Sequence, residues 1–517
     1  MTTRSPGIIT PAGAARVFVR RIGMQACLAG CAVWLAGCAV GPDFRRPETR
    51  SIPGYTETPL PAATESQPAR GVVSQRFVPG RDIPGEWWQL FRSPVITSLV
   101  ERALRQNPNV EAAQAALRQA QEQRLQQEGQ LLPAISGTVL RNRSETPGVL
   151  SGAPGFDFTQ SYYGAQLSLS YTLDIWGGLR RAVEQTAARV EFERFQLEAT
   201  DLALAAAVAT DAVQAAALAD QIKVQRDLIG FETRQLETVR RQFELGGATG
   251  TDVATQEAQV ATARTVLVPL QTQLAQTRNQ LAAYLGQAPS ELRIPAISLD
   301  DITLPGELPV SVPAALLDQR PDIRQAEATL HQQSAALGVA IAQRLPNVTL
   351  TAQVGSYAAD THQLFSPGNG LWSLVNQAVQ PVFDAGQLLH AQRAQRAALD
   401  NAAALWRYTV VTAFQNVADV LVALQNDEVG LAASLDAQQA SERSLSLASL
   451  QYRLGGISYL SVLTAQQSTQ NAILSLLRAR AARYTDSIAL YQALGGGWWH
   501  RDDLPPPPPG LLSSPLP

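Results

Sequence analysis

From residue 109 to 131, apolar or alanine positions recur at helical spacing through Val110, Ala113, Leu117, Ala120 and Leu125, with Gln and Glu between them. The same spacing returns over 322–344 through Ile323, Ala326, Leu330, Ala336, Leu337 and Ile341. Each predicted helix stops at a Leu-Pro pair, Leu132-Pro133 and Leu345-Pro346. The period then changes to two. In 163–173, Ala165, Leu167, Leu169, Tyr171 and Leu173 alternate with Gln166, Ser168, Ser170 and Thr172. In 347–357, Val348, Leu350, Ala352 and Val354 alternate with Thr349, Thr351, Gln353 and Gly355. Weaker matches at 134–142 and 371–383 complete two strand pairs, joined by Gly/Pro/Ser-rich loops at 143–161 and 358–370. Alternation of this kind suits either a soluble half-buried sheet or a wall with lipid on one side and water on the other.

After each strand pair comes a proline-free stretch, Gly178 to about Leu245 and Gln387 to about Leu454. As helix each would extend ~100 Å at 1.5 Å per residue. Ala, Leu, Gln, Glu and Arg dominate, as long helices require. The run 202–219 has small side chains on most faces and so allows neighbours on two sides. Gly246-Gly247 and Gly455-Gly456 break the long helices, and return helices follow over about 252–285 and 459–494. The plan is therefore a unit of helix, strand, strand, helix and helix, used twice. Pro108 and Pro321, like Pro133 and Pro346, lie 213 positions apart. The Leu-Gly-Gly sites at 245–247 and 454–456 lie 209 apart, so the copies drift within the first strand pair. This divides the chain into 1–37 (signal), 38–85 (anchor and extended segment), 86–294 (first repeat), 295–313 (Pro-rich linker), 314–497 (second repeat) and 498–517 (Pro-rich tail). Residues 41–85 and 500–517 read as extended or disordered.

Four spanning strands cannot close a barrel, because the smallest membrane barrels need about eight. An open edge in lipid leaves backbone groups unpaired at several kcal/mol each. The strands either lie outside the membrane or close with those of other chains, and three copies would supply twelve.

The N-terminus reads as an export signal. Arg16, Arg20 and Arg21 precede an apolar core at 22–37, too short for a membrane span. Leu35-Ala36-Gly37-Cys38 resembles the bacterial lipoprotein box, which implies a diacylglyceryl group on Cys38. Leu28-Ala29-Gly30-Cys31 also fits, but leaves a very short apolar core. Ala39 after the cysteine implies, by the same resemblance, sorting to the outer membrane. An ordinary signal peptide is the alternative. All three cysteines, Cys27, Cys31 and Cys38, lie here, so a chain cleaved at Cys38 carries no disulfide.

A net charge of -3 leaves no nucleic-acid footprint. The histidines His331, His362, His390 and His500 have no paired metal spacing and read as structural or solvated. Gly495-Gly496-Gly497 reads as a helix stop, and Asp174 as a strand-to-helix turn residue. No cofactor or enzymatic constellation emerges. Met1 and Met24, both in the signal, are the only methionines, which excludes a methionine-lined metal path from the cleaved chain.

The ordered set of motifs resembles the TolC-like outer-membrane efflux factors, in the lipoprotein branch serving resistance-nodulation-division pumps. It comprises Cys38 through Phe44 with Pro47, Trp87-Trp88 with Phe91 and Pro94, Asn107-Pro108, Arg320-Pro321-Asp322-Ile323, Leu345-Pro346 and Pro381 through Gly386. The resemblance implies an α+β membrane protein, a homotrimer whose twelve-stranded β-barrel continues into a long periplasmic α-helical barrel. It implies a passive exit duct for drugs and toxic compounds, with energy supplied by an inner-membrane pump through a periplasmic adaptor. The adaptor would meet the tips: Phe243, Leu245, Gly246 and Gly247 in the first copy, and Tyr452, Arg453, Leu454, Gly455 and Gly456 in the second. Relatives often close this end with acidic rings, yet 443–454 holds no acid, so no gate is assigned. A type I protein-secretion duct and a non-conducting structural lipoprotein are the competing expectations.

Overall fold

The computed structural model describes residues 39–48, 54–56, 75–147, 155, 157–311 and 313–501. Cys38, Cys31 and the tail beyond Arg501 lie outside the described residues. The chain runs β1 (Arg76–Pro79), α1 (Pro94–Gln106), α2 (Pro108–Gly129), β2 (Ala134–Thr146), β3 (Phe158–Leu173), α3 (Gly178–Glu244) and α4 (Gly250–Tyr284). The second half follows with β4 (Glu307–Val310), α5 (Pro313–Gln319), α6 (Pro321–Ala342), β5 (Asn347–Ala358), β6 (Gly370–Val379), α7 (Gln387–Arg453) and α8 (Tyr459–Ala493). The duplicated unit is present, with one addition: each copy begins with an extra helix, α1 or α5, before the predicted one.

The helices are not four equal rods. α3 and α7 have 67 residues each, the return helices α4 and α8 have 35, and α2 and α6 have 22. A 22-residue and a 35-residue helix stack end to end beside each long one. α3 packs against α2 and α4 on one side and against α6 and α8 on the other. Between Leu204 and Leu218 its buried positions are largely alanine, including Ala205, Ala206, Ala209, Ala212, Ala216 and Ala217, which permits this two-sided approach. One window of α3 is apolar enough to cross a membrane, but 61% of it is buried against these neighbours. Pro269 sits inside α4 without ending it.

Both long helices start at an aspartate-capped turn. The Asp174 carboxylate accepts from Leu179 N (2.9 Å) and Arg180 N (3.0 Å). Asp384 accepts from Gly386 N (2.9 Å) and Leu388 N (2.8 Å). Each carboxylate satisfies orphan amides of a helix N-terminus, which is the turn role expected of Asp174.

The four long strands form one antiparallel sheet in the order β2-β3-β5-β6. Its register puts like with like. Gly137 pairs with Leu167, Leu167 with Val354, and Val354 with Trp372. Ser136 pairs with Ser168, Ser168 with Gln353, and Gln353 with Ser373. One face is thus apolar and the other hydroxyl and amide, because paired residues in an antiparallel ladder point the same way. Trp372 is 79% exposed and Val354 56%, so the described residues leave most of the apolar face open.

Midway down the helices a belt of short elements holds the main core. The N-terminal segment is not simply extended there, nor is the linker. β1 pairs in parallel with β4, Phe77 opposite Leu308. Trp87 stacks on Tyr491 with ring centroids 5.4 Å apart, and Phe91 meets both edge-on. Neither strand is long enough to show a period, so pattern reading passed over both. Gly495, Gly496 and Gly497 end α8 in left-handed conformations, each closely covered by belt atoms. Higher up, residues 39–46 lie on the strand-to-helix junction. Val40 N donates to Trp176 O (2.9 Å), and Arg181 pairs with Asp43 (2.5 Å) and Glu184 (2.6 Å). His331 bonds Glu184 (2.9 Å) and stacks on Phe44, a structural role.

Candidate functional site

The two Leu-Gly-Gly sites form hairpin tips of the same geometry. At the first, Gly246 N donates to Phe243 O (3.0 Å) and Gly247 N to Gln242 O (2.7 Å). At the second, Gly455 N donates to Tyr452 O (3.0 Å) and Gly456 N to Gln451 O (2.9 Å). Gly246 and Gly455 both have φ +76°. This is the Schellman arrangement, in which a left-handed glycine lets the last carbonyls find donors. The return helices differ at their starts. Thr249 caps α4 in a reciprocal box with Asp252, whereas the Ser458 side chain makes no cap bond to the backbone of α8.

The caps leave apolar side chains outside. Leu245 is 87% exposed, Leu454 77% and Phe243 51%. Arg453 is exposed beside them. Tyr452 turns inward instead, its ring 5.4 Å from that of Tyr459. Here Val239, Tyr459 and Leu463 make a small core with Ala248, Val253 and Val462 against it. The sites named from sequence therefore divide: Leu245, Leu454 and Phe243 face out, Tyr452 braces the tip, and the glycines shape it.

Sequence reasoning missed what joins the hairpins. Tyr459 Oη donates to Gln256 Oε1 (2.6 Å), and Gln256 Nε2 donates to Glu232 O (3.1 Å) and to the Glu232 carboxylate. Further up, Gln470 Nε2 donates to Gln225 Oε1 (2.8 Å), whose own Nε2 donates to Ala263 O (2.7 Å). Gln225, Gln256 and Gln470 are all buried. Burial raises the pKa of Glu232, opposed by the Gln256 hydrogen bond, and burial also raises that of Tyr459. Glutamine is so common in these helices that no single one stood out as a crosslink.

Comparison with known proteins agrees with this architecture. The family described as "Outer membrane efflux protein" matches residues 99–287 and 312–496, one segment in each repeat. The chain belongs to the outer membrane efflux protein family. Over 471 residues this efflux protein is 31% identical to the probable efflux pump outer membrane protein TtgC of Pseudomonas putida, covering 91% of this chain and 94% of that one. It is 30% identical over 447 residues to the pyoverdine export outer membrane protein OpmQ of Pseudomonas putida, covering 85% and 94%. Among solved structures it resembles the outer-membrane channel OprN, with TM-score 0.79 and 26% identity, over 89% of this chain and 100% of that one. The efflux protein is thus an outer-membrane channel component.

Proposed function

We propose that three copies of this chain close into a duct that carries small molecules out of the cell. In this reading an inner-membrane pump of the resistance-nodulation-division type delivers the cargo through a periplasmic adaptor. The carrying observation is that sheet and helices share one lateral order with both edges open. The strands run β2-β3-β5-β6, and below them the helices run α2 with α4, then α3, then α6 with α8, then α7. β2 and β6 end the sheet on opposite sides, so β6 of one copy can pair with β2 of the next. Three copies give twelve strands and leave no edge in lipid. The 67-residue helices then extend ~100 Å from the membrane at 1.5 Å per residue.

The exposed leucines at the tips support adaptor docking there, with Leu245, Leu454 and Phe243 as contacts and Gly246, Gly247, Gly455 and Gly456 as the shape that presents them. Arg453 would add a polar contact. Cys38 would carry the lipid. Ala39 lies against Gly177, so an acyl group on the preceding residue would start at the barrel's periplasmic rim. Antibiotic efflux and pyoverdine export are named for relatives, and permeation of such small molecules is the proposal for this chain.

The test is the mass of the purified full-length protein together with its conductance in planar bilayers. A trimeric mass and stable ohmic steps are expected. A monomer that conducts nothing would favour a structural lipoprotein.

The crosslink between the hairpins gives a second expected result. A seam of buried glutamine bonds exchanges for water at small net cost, unlike apolar packing. We therefore expect Tyr459→Phe to weaken the joint between the two hairpins and raise channel conductance or open time, with the trimer intact. Conductance equal to wild type would dismiss the crosslink as a gate.

A further inference from the structure

The apolar side of the sheet carries a groove beside two arginines that have no carboxylate partner among the described residues. The β5–β6 loop leans over the apolar face. Ser356 shares that face with Val354, and its hydroxyl donates to Leu364 O in the loop and to Asn369 O (2.9 Å). Phe365, 81% exposed, therefore overhangs the strands. Beneath it lies a groove of ≈ 530 Å³ lined by Val139, Leu167, Val354 and Phe365, with Gly137 in its floor. A Cβ at Gly137 would meet only Leu167 Cδ2 at 3.5 Å, so the missing side chain is itself part of the space.

β2 continues from the groove towards the outer end of the sheet. Val139, Arg141 and Arg143 alternate onto one face, each step about 7 Å along the strand. Both arginines are exposed, and among the described residues no carboxylate pairs with either. Arg141 lies 5.6 Å over the Tyr163 ring, which holds its guanidinium against the wall. Glu145 follows on the same face, one step further from the groove. Arg141 is seven positions beyond Ala134, where the strand leaves the periplasmic side. At ~3.3 Å per residue and a tilt near 40° this is about 18 Å up, and Arg143 about 23 Å, near the top of an apolar band ~25 Å tall.

We propose that this surface binds a phosphate-bearing, multiply acylated lipid of the outer leaflet. One acyl chain lies in the groove under Phe365, and the phosphate rests on Arg141 and Arg143. Charge complementarity selects an anionic headgroup, since two unpaired guanidiniums at the headgroup level attract phosphate. The groove selects a chain that descends directly beneath that headgroup. The inference rests on the apolar face being the lipid side.

The experiment is native mass spectrometry of the purified full-length protein titrated with lipid A, dephosphorylated lipid A and phosphatidylglycerol. Wild type should retain lipid A most tightly. At about 1 kcal/mol per basic residue, Arg141→Gln with Arg143→Gln should weaken it roughly 30-fold. Wild type with dephosphorylated lipid A should bind as poorly. Gly137→Leu, which fills the groove, should lose lipid A while keeping both arginines. Equal retention of phosphorylated and dephosphorylated lipid overturns the proposal without any variant. Phosphatidylglycerol held as tightly as lipid A also overturns it, because the attraction would then be generic. Conductance in planar bilayers should be unchanged in every variant, since none lines the lumen. Lost conductance with lipid retention intact would count against the lumen assignment and leave this site standing.

Discussion

Arginine at both Leu167 and Val354 is expected to keep the protein out of the outer membrane. The two residues are direct partners across β3 and β5. Leu167 lies six and Val354 seven positions from the periplasmic end of its strand, about 15–18 Å up and inside an apolar band ~25 Å tall. An arginine facing lipid there costs about 2–4 kcal/mol, so the pair costs about 4–8 kcal/mol per chain. The matching control is arginine at Ser168 and Gln353, which also pair with each other but lie on the polar face. That variant should insert, and its channel should shift towards anion selectivity. Membrane fractionation and reversal potentials read both outcomes. If the Leu167/Val354 variant inserts normally and the Ser168/Gln353 variant does not, the faces are assigned the wrong way round.

Tryptophan at Gly246 or Gly455 is expected to abolish efflux while leaving the trimer assembled. A Cβ at either glycine meets nothing within 4 Å, so the space around the tip is open. The fold then bears only the left-handed backbone, about 1–2 kcal/mol for a non-glycine residue. Alanine at the same positions imposes that strain without the bulk. Drug resistance should therefore fall to the level of a deletion strain with tryptophan and stay near wild type with alanine. Equal loss in both would place the effect in the helix cap, and normal resistance with tryptophan would remove the tips from the docking surface. Changing Leu245 and Leu454 to Asp should act like tryptophan. Both side chains are exposed, so their loss costs the fold little.

Much of this was legible from periodicity and from the proline and glycine marks. The strands were long and the helices longer, so the period of two and the absence of proline were clear signals. The faces were the ambiguous part: Leu167 and Ser168 alternate identically in a soluble sheet. Only the register, which aligns Leu167 with Val354 and Ser168 with Gln353, sorted them onto two faces, and the described residues leave most of the apolar one open. The belt was illegible for a different reason. β1 and β4 have four residues each and come from segments over 200 positions apart, so neither carries a pattern by itself. The Tyr459–Gln256 bond joins the two repeats, whereas comparing the copies reveals only what they share. The lipid attachment at Cys38, outside the described residues, stays a reading of the sequence.

The unequal helices also determine how such a duct can change length. α3 and α7 run unbroken past the junctions of the stacked helices beside them, so these two alone act as its ruler. Reach grows only when both rulers and both return helices lengthen together, in whole turns that keep Leu245 and Leu454 level. A periplasm of different depth therefore demands a fourfold coordinated insertion, and a single one would tilt the mouth.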